Sequence, residues 1–162
     1  EKHWDLIFKV NVNGTFHCTR AVLPTLIEQQ RGNVINISSG ATMGGTPYGG
    51  TKRALEAMTE GFAGELAGVG IAFNALKPVG AIETPGFLFA QVPRSGGQSG
   101  APDLPPPDSY VEAAVLLACQ TPDTYTGQIN NDAEVIANLA DEDVKRRLSD
   151  LNPAYWSAAM ET

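Results

Sequence analysis

The sequence predicts an α/β fold in which a parallel sheet is covered by helices on both faces. Three observations predict it. Segments with apolar residues at three- and four-residue steps alternate with short, mainly apolar runs bounded by turn residues, the pattern of strands joined by crossover helices. Polar and conformationally special residues gather just after those runs, at Ser38-Ser39, Lys77-Pro78-Val79-Gly80 and Asn130-Asn131, where parallel sheets of this kind place their ligands. The 162 residues, 43% apolar and 18% charged, suffice for a sizeable core.

Taken in order, residues 4–31 carry Trp4, Ile7, Phe8, Val12, Phe16, Val22, Leu23, Leu26 and Ile27 at helical spacing. Asp5 is the expected cap and Gly32 the expected stop, and Pro24 is expected to kink or divide the helix. Val34, Ile35 and Ile37 form the first buried strand. After a polar, Gly-rich connection, residues 48–67 form a second helix with Leu55, Met58, Phe62 and Leu66 as its apolar stripe. Gly68-Val69-Gly70 ends it, and Ile71 to Leu76 make the next strand. Between Pro85 and Asp108, ten of 24 residues are Pro or Gly with no periodicity, which predicts a long, flexible loop of the kind that serves as a lid. Ser109 and Glu112 have capping-box spacing at the start of a helix to about Cys119. Tyr125 to Asn130 gives a third strand, and Asp141 to Arg147 a short helix with acid first and base last.

Composition narrows the functional classes. Eleven Lys and Arg against 18 Asp and Glu give a formal charge of -7 with no basic cluster, which argues against nucleic-acid and anionic-membrane partners. No apolar run approaches the roughly 18 residues of a spanning helix, and the amino end lacks a signal-peptide layout. Two widely separated cysteines favour a reducing, cytoplasmic setting. His3, His17, Cys18 and Cys119 show no ligand spacing, so no metal site is expected.

Tyr48 and Lys52 are four residues apart, one helical turn on the same face. An ammonium near a phenol favours the phenolate and makes the pair a usable general acid/base, although the same spacing also suits a solvated helix face. The pair lies within an ordered set: Trp4-Asp5, Val10 to Phe16, Asn36-Ile37-Ser38-Ser39, Tyr48-Gly49-Gly50-Thr51-Lys52, and Asn74 to Thr84. From Trp4 to about Ile136 this set resembles the short-chain dehydrogenase/reductase family.

The resemblance implies a Rossmann-like doubly wound parallel sheet, of which this chain supplies the carboxyl-terminal portion, about three strands with flanking helices. It implies NAD or NADP as cofactor and a small-molecule alcohol or carbonyl substrate. Tyr48 resembles the catalytic acid/base, Lys52 the residue that assists it and binds the nicotinamide ribose, and Ser39 the group that hydrogen-bonds the substrate oxygen. Asn11 resembles the Asn that holds a water in the proton relay. Pro78, Val79, Gly80, Ile82 and Thr84 resemble the segment that fixes the nicotinamide carboxamide, the 85–108 loop the substrate lid, and Thr126-Gly127-Gln128 the start of the last strand. The family also implies a homodimer or homotetramer formed through helices 4–31 and 48–67.

Four features depart from the family pattern. The interval from Ser39 to Tyr48 is short, which leaves a place for Ser38 in the role of Ser39. Val79 replaces a Gly after Pro78, and Asn131-Asp132-Ala133-Glu134 replaces a Gly pair after the last strand. No glycine-rich phosphate-binding motif is present, so the expectation is a single partial domain over 1–162, the catalytic half of a dehydrogenase. Two functional classes therefore stand side by side: an NAD(P)-dependent oxidoreductase, or a catalytically inert fragment or cofactor-free dimerisation module.

Overall fold

The computed structural model describes residues 1–91, 104–151 and 153. The chain opens on a long helical stretch composed of α1 (Lys2–Phe8), a π-helical turn (Lys9–Asn13) and α2 (Gly14–Gln29). It continues through β1 (Gly32–Ile37), a short 3-10 turn (Gly40–Met43), α3 (Pro47–Glu65) and β2 (Ile71–Lys77). Then follow α4 (Pro85–Gln91), α5 (Asp108–Ala118), β3 (Ile129–Asn131), α6 (Asp132–Leu139) and α7 (Glu142–Leu151).

The three strands form one parallel sheet in the order β1-β2-β3, so the fold is α/β and Rossmann-like, as the alternation predicts. Ile71 to Leu76 of the middle strand are all buried. Successive side chains of a strand point to opposite faces, and both faces of β2 are covered. On one, Phe73 stacks on Phe62 of α3 with ring centroids 5.4 Å apart. On the other, Leu76 joins Ala113 and Leu117 of α5, Val135 and Ile136 of α6, and Leu148 of α7 in the main core cluster. Register pairs Ile37 with Leu76 and Lys77 with Asn131, so all three strands end at nearly the same level. That shared level sets the floor of the site.

The structure corrects several expectations. Pro24 does not divide its helix, since α2 runs unbroken from Gly14 to Gln29; Arg20, whose carbonyl loses its partner there, is exposed to water. The irregularity falls instead at the π turn. The helix starts before Asp5, at Lys2, and ends on Gln30 in the left-handed conformation, leaving Gly32 to begin β1. The expected lid loop begins as a helix, α4, because Pro85 stands at its first position, where a missing N–H costs nothing. Residues 92–103 of that loop lie outside the described residues. Ser109 does not cap α5, whose N-cap position is Pro107; the capping box is at Asn131 and Glu134, opening α6, a helix the sequence reading passed over. The third strand is shorter than expected, Ile129–Asn131, and Thr126-Gly127-Gln128 precede it.

The junction between α2 and β2 depends on Gly70. Its φ is +77°, and a Cβ there would overlap the carbonyl oxygen of Gln30, while its own carbonyl accepts the Gly32 N–H at 3.1 Å. Gly70→Ala combines a left-handed backbone with a main-chain clash, and is expected to destabilise the fold by about 2 kcal/mol or more. Urea unfolding checks this; an unchanged midpoint and slope would contradict it.

Candidate active site

The start of α3 builds the site. Thr46 is extended, and its hydroxyl accepts the Gly49 N–H at 3.0 Å while Pro47 occupies the first turn. This N-cap and proline order fixes where the helix begins, and so puts Tyr48 in the first turn with Lys52 one turn on. Tyr48 is 40% exposed, and its hydroxyl has no hydrogen-bond partner among the described residues. The Lys52 ammonium lies 5.6 Å from the Tyr48 ring centroid and donates to the carbonyl of Ile37, the last residue of β1, at 2.7 Å. Partial burial lowers the Lys52 pKa from the ordinary lysine value.

Between them, Gly49 lets the 3-10 turn lie against the helix. A Cβ at Gly49 would overlap the Ala41 carbonyl oxygen and meet that of Gly44 at 2.9 Å. This turn carries Ser39 as its N-cap, and Ser39 Oγ accepts the Ala41 N–H at 3.2 Å, leaving the hydroxyl hydrogen for another acceptor. Ser38 is differently used: it is buried, and its hydroxyl donates to Glu56 at 2.8 Å.

Asn11 reaches the site from the π turn. Its side-chain amide donates to Thr51 Oγ1 at 3.0 Å, and Thr51 in turn donates to the Tyr48 carbonyl at 2.7 Å. The Asn11 carbonyl accepts from Thr15 at 2.7 Å. Asn11, Ile37 and Lys52 line one cleft between α2 and β1. Asn11, Tyr48 and Lys52 are thus brought together, with Ser39 on the adjoining turn.

The segment after β2 presents a different set of groups. Val79 spends its N–H on Asp132 at 2.8 Å. Glu83 N–H is donated to Pro105 O at 2.9 Å. Thr84 Oγ1 accepts the Phe87 N–H at 3.2 Å and keeps its own O–H as a donor. The main-chain N–H and C=O of Ile82 have no partner among the described residues. A carboxamide needs one acceptor and one donor opposite it, and Ile82 with Thr84 offers both. The residues present therefore fit a nicotinamide, with Lys52 Nζ retaining donors for ribose hydroxyls beyond the one given to Ile37.

Two acidic residues escaped the sequence reading. Glu56 on α3 has a side chain 1% exposed, held by the Ser38 hydroxyl, by Arg53 at 2.8 Å and by Lys77 at 3.5 Å. Burial alone would raise its pKa, but the hydrogen bonds from Arg53 and Ser38 and the charge of Lys77 prevail and hold it below the usual glutamate value. Its signal was available: a charged residue beside Leu55, on the face that buries Leu55 and Thr59. Asp132 is fully buried in the first turn of α6 and accepts from both Val79 N–H and the Ser109 hydroxyl. Its signal was the Asn131-to-Glu134 spacing, the same pattern that was credited to Ser109 and Glu112.

A family model described as short chain dehydrogenase matches residues 1–88. The chain belongs to the short-chain dehydrogenase family. Its similarity extends beyond that match: it is 32% identical over 138 residues to the 3-oxoacyl-acyl-carrier-protein reductase FabG of Thermotoga maritima, covering 80% of this chain and 55% of that protein. Among solved structures, a 3-oxoacyl-acyl-carrier-protein reductase with bound NAD from Brucella melitensis superposes with a TM-score of 0.64 at 30% identity, covering 80% of this chain and 50% of that one. A gluconate 5-dehydrogenase from Burkholderia cenocepacia in complex with NADP and tartrate gives 0.63 at 26% identity, covering 81% and 55%. The chain spans about half the length of the short-chain dehydrogenases it matches. Among the described residues, no helix is long and apolar enough to cross a membrane.

Because the Glu56 pKa is lowered in the folded state, its contribution to stability is complete above the ordinary glutamate value of 4.5 and is lost as pH falls through the lower, folded value. Glu56→Gln is expected to unfold more easily than the parent at neutral pH, by about 2 kcal/mol. The gap between the two should narrow as pH falls below 4.5. Denaturant titrations at stepped pH measure it; a gap that widens on acidification contradicts the assignment.

Proposed function

We propose that this chain forms the catalytic side of an NAD(P)-dependent oxidoreductase that interconverts an alcohol and a carbonyl compound. The observation that carries the reading is the pair on α3: an exposed Tyr48 whose hydroxyl has no hydrogen-bond partner among the described residues, and a Lys52 ammonium over its ring that is tied to the end of β1. Tyr48 is the acid/base, giving its phenol proton to the carbonyl oxygen in reduction and taking the alcohol proton in oxidation. The nicotinamide, when bound, supplies or accepts the hydride. Ser39 donates its free hydroxyl hydrogen to the same substrate oxygen, orienting it towards Tyr48. Lys52 holds the ribose hydroxyls, and Asn11 stands behind it in the shared cleft, with its amide holding Thr51 and through it the first turn of α3.

Pro78, Gly80, Ile82 and Thr84 would form the wall that receives the carboxamide, and Val79 contributes its place in that wall while its N–H stays on Asp132. Both NAD and NADP accompany relatives of this fold, and the residues present favour neither. An oligomer formed through residues 4–31 and 48–67 is part of the same proposal; it is supported by the exposed apolar side chains of Trp4, Leu6, Val10 and Phe16 on the first of these helices.

In the full-length protein, Tyr48→Phe removes the exchangeable proton and little else. Turnover, followed by NAD(P)H absorbance, is expected to fall by about a hundredfold or more, with NAD(P)H affinity held near that of the parent. Retained turnover would remove Tyr48 from the acid/base role.

A further inference from the structure

Asp132 lies at the point where three chain segments meet. It follows directly on β3, and its carboxyl oxygens accept the Val79 N–H and the Ser109 hydroxyl, each at 2.8 Å. One side chain thus joins the exit of β2, the first turn of α5 and the start of α6, and the first turn of a helix is a favourable place for an acid. The Val79 bond has particular weight. Pro78 has no N–H, so the Val79 amide is the first donor available once the chain has left β2. The Val79 side chain is 38% exposed and provides little apolar anchorage. Direction is therefore set there by the main-chain hydrogen bond.

Just before this point Lys77 is paired with Glu56, so the turn is held on both sides: from α3 through Lys77 and from α6 through Val79. Three and five residues further on stand Ile82 and Thr84. Tyr110, next to Ser109, reaches the end of β2. Burial, Asp132 and Tyr48 push its phenol up to about 12, and its hydroxyl is 3.5 Å from the Leu76 carbonyl at the end of β2.

We propose that Asp132 is a positioning residue for cofactor binding: by holding the Val79 amide and the Ser109 hydroxyl together it sets the course of Pro78 to Thr84, and so the place of the nicotinamide ring. It touches neither cofactor nor substrate. The inference rests on the reading of the site given above.

The test compares full-length Asp132→Ala and Asp132→Asn with the parent. Asparagine can accept from Val79 and donate to Ser109, so it preserves both ties, whereas alanine abolishes both. Two readouts are taken without turnover: NAD(P)H affinity by fluorescence titration, and hydrogen exchange at the Val79 amide. Asp132→Ala is expected to weaken NAD(P)H binding by about tenfold or more and to raise the cofactor KM with little change in substrate KM. It should also remove the protection of the Val79 amide. Asp132→Asn should recover both properties to within about threefold of the parent. If Asp132→Ala prevents folding, Ser109→Ala, which removes one of the two ties and leaves Val79 protected, carries the test: it is expected to weaken NAD(P)H binding by about threefold, and parental affinity overturns the proposal. An alanine variant, or an unprotected asparagine variant, with parental NAD(P)H affinity overturns the proposal. A parent protein that binds no NAD(P)H overturns the reading of the site and this inference with it. If the parent binds and Tyr48→Phe is inactive while Asp132→Ala binds normally, only the inference on Asp132 fails.

Discussion

A buried carboxylate that must remain paired organises this structure. Glu56 has almost no access to water, and an isolated charge in that position would be costly. Its compensation comes from three directions: Ser38 at the exit of β1, Arg53 on its own helix and Lys77 at the end of β2. A second polar tie lies one turn further along α3, where Asn36 donates to Thr59 at 2.8 Å. The helix that carries Tyr48 and Lys52 is therefore registered on the sheet by hydrogen bonds with defined directions, which resist sliding better than apolar contacts do. Phe62 on Phe73 then supplies area, and the polar pairs supply the alignment.

The sheet turns that alignment into a site. Parallel strands in register bring their exits to one edge, so the first residues beyond β1, β2 and β3 become neighbours although they are far apart in the chain. Ser39, Pro78 and Asp132 are these residues or lie beside them. Each loop is anchored at its first step: Ser38 on Glu56, Lys77 on Glu56 and Val79 on Asp132. Main-chain direction at the site is thus settled before any exposed side chain takes part, and this suits chemistry in which small displacements of reacting atoms are expensive.

Much of this was legible in the sequence, for reasons that particular residues make plain. The parallel sheet follows from Val34-Ile35 and Ile71 to Leu76, apolar runs too short for helices and set between helical periods. Tyr48 and Lys52 lie one turn apart at the start of α3, as their spacing predicts, while the role proposed for them comes from the resemblance of the ordered set around them. What escaped notice was either too short or obscured by its surroundings. α4 occupies seven residues at the head of a Pro- and Gly-rich stretch, whose composition hid Phe87 and Leu88. α6 has only eight residues and begins immediately after β3, with no turn residue between them. Ser109 and Glu112 have the spacing of a capping box, but Ser109 is drawn to Asp132, a partner distant in sequence that no local pattern reveals. Glu56 has one partner on its own helix, Arg53, and two at strand ends, Ser38 and Lys77, that only the fold brings to it.

The π turn at Lys9–Asn13 divides the first helix into two lengths of different phase. One additional residue in a turn shifts the helix beyond it by about 100° relative to an uninterrupted one. Trp4 before the turn and Phe16, Val22 and Ile27 after it are all exposed. The long helix works like two cams on one shaft, with Asn11 at the joint. Loss of a single residue there would preserve the helix but turn α1 against α3 by about a quarter of a revolution, carrying Asn11 away from Thr51. The phase between the cams, rather than the strength of any contact, is what that short irregularity stores.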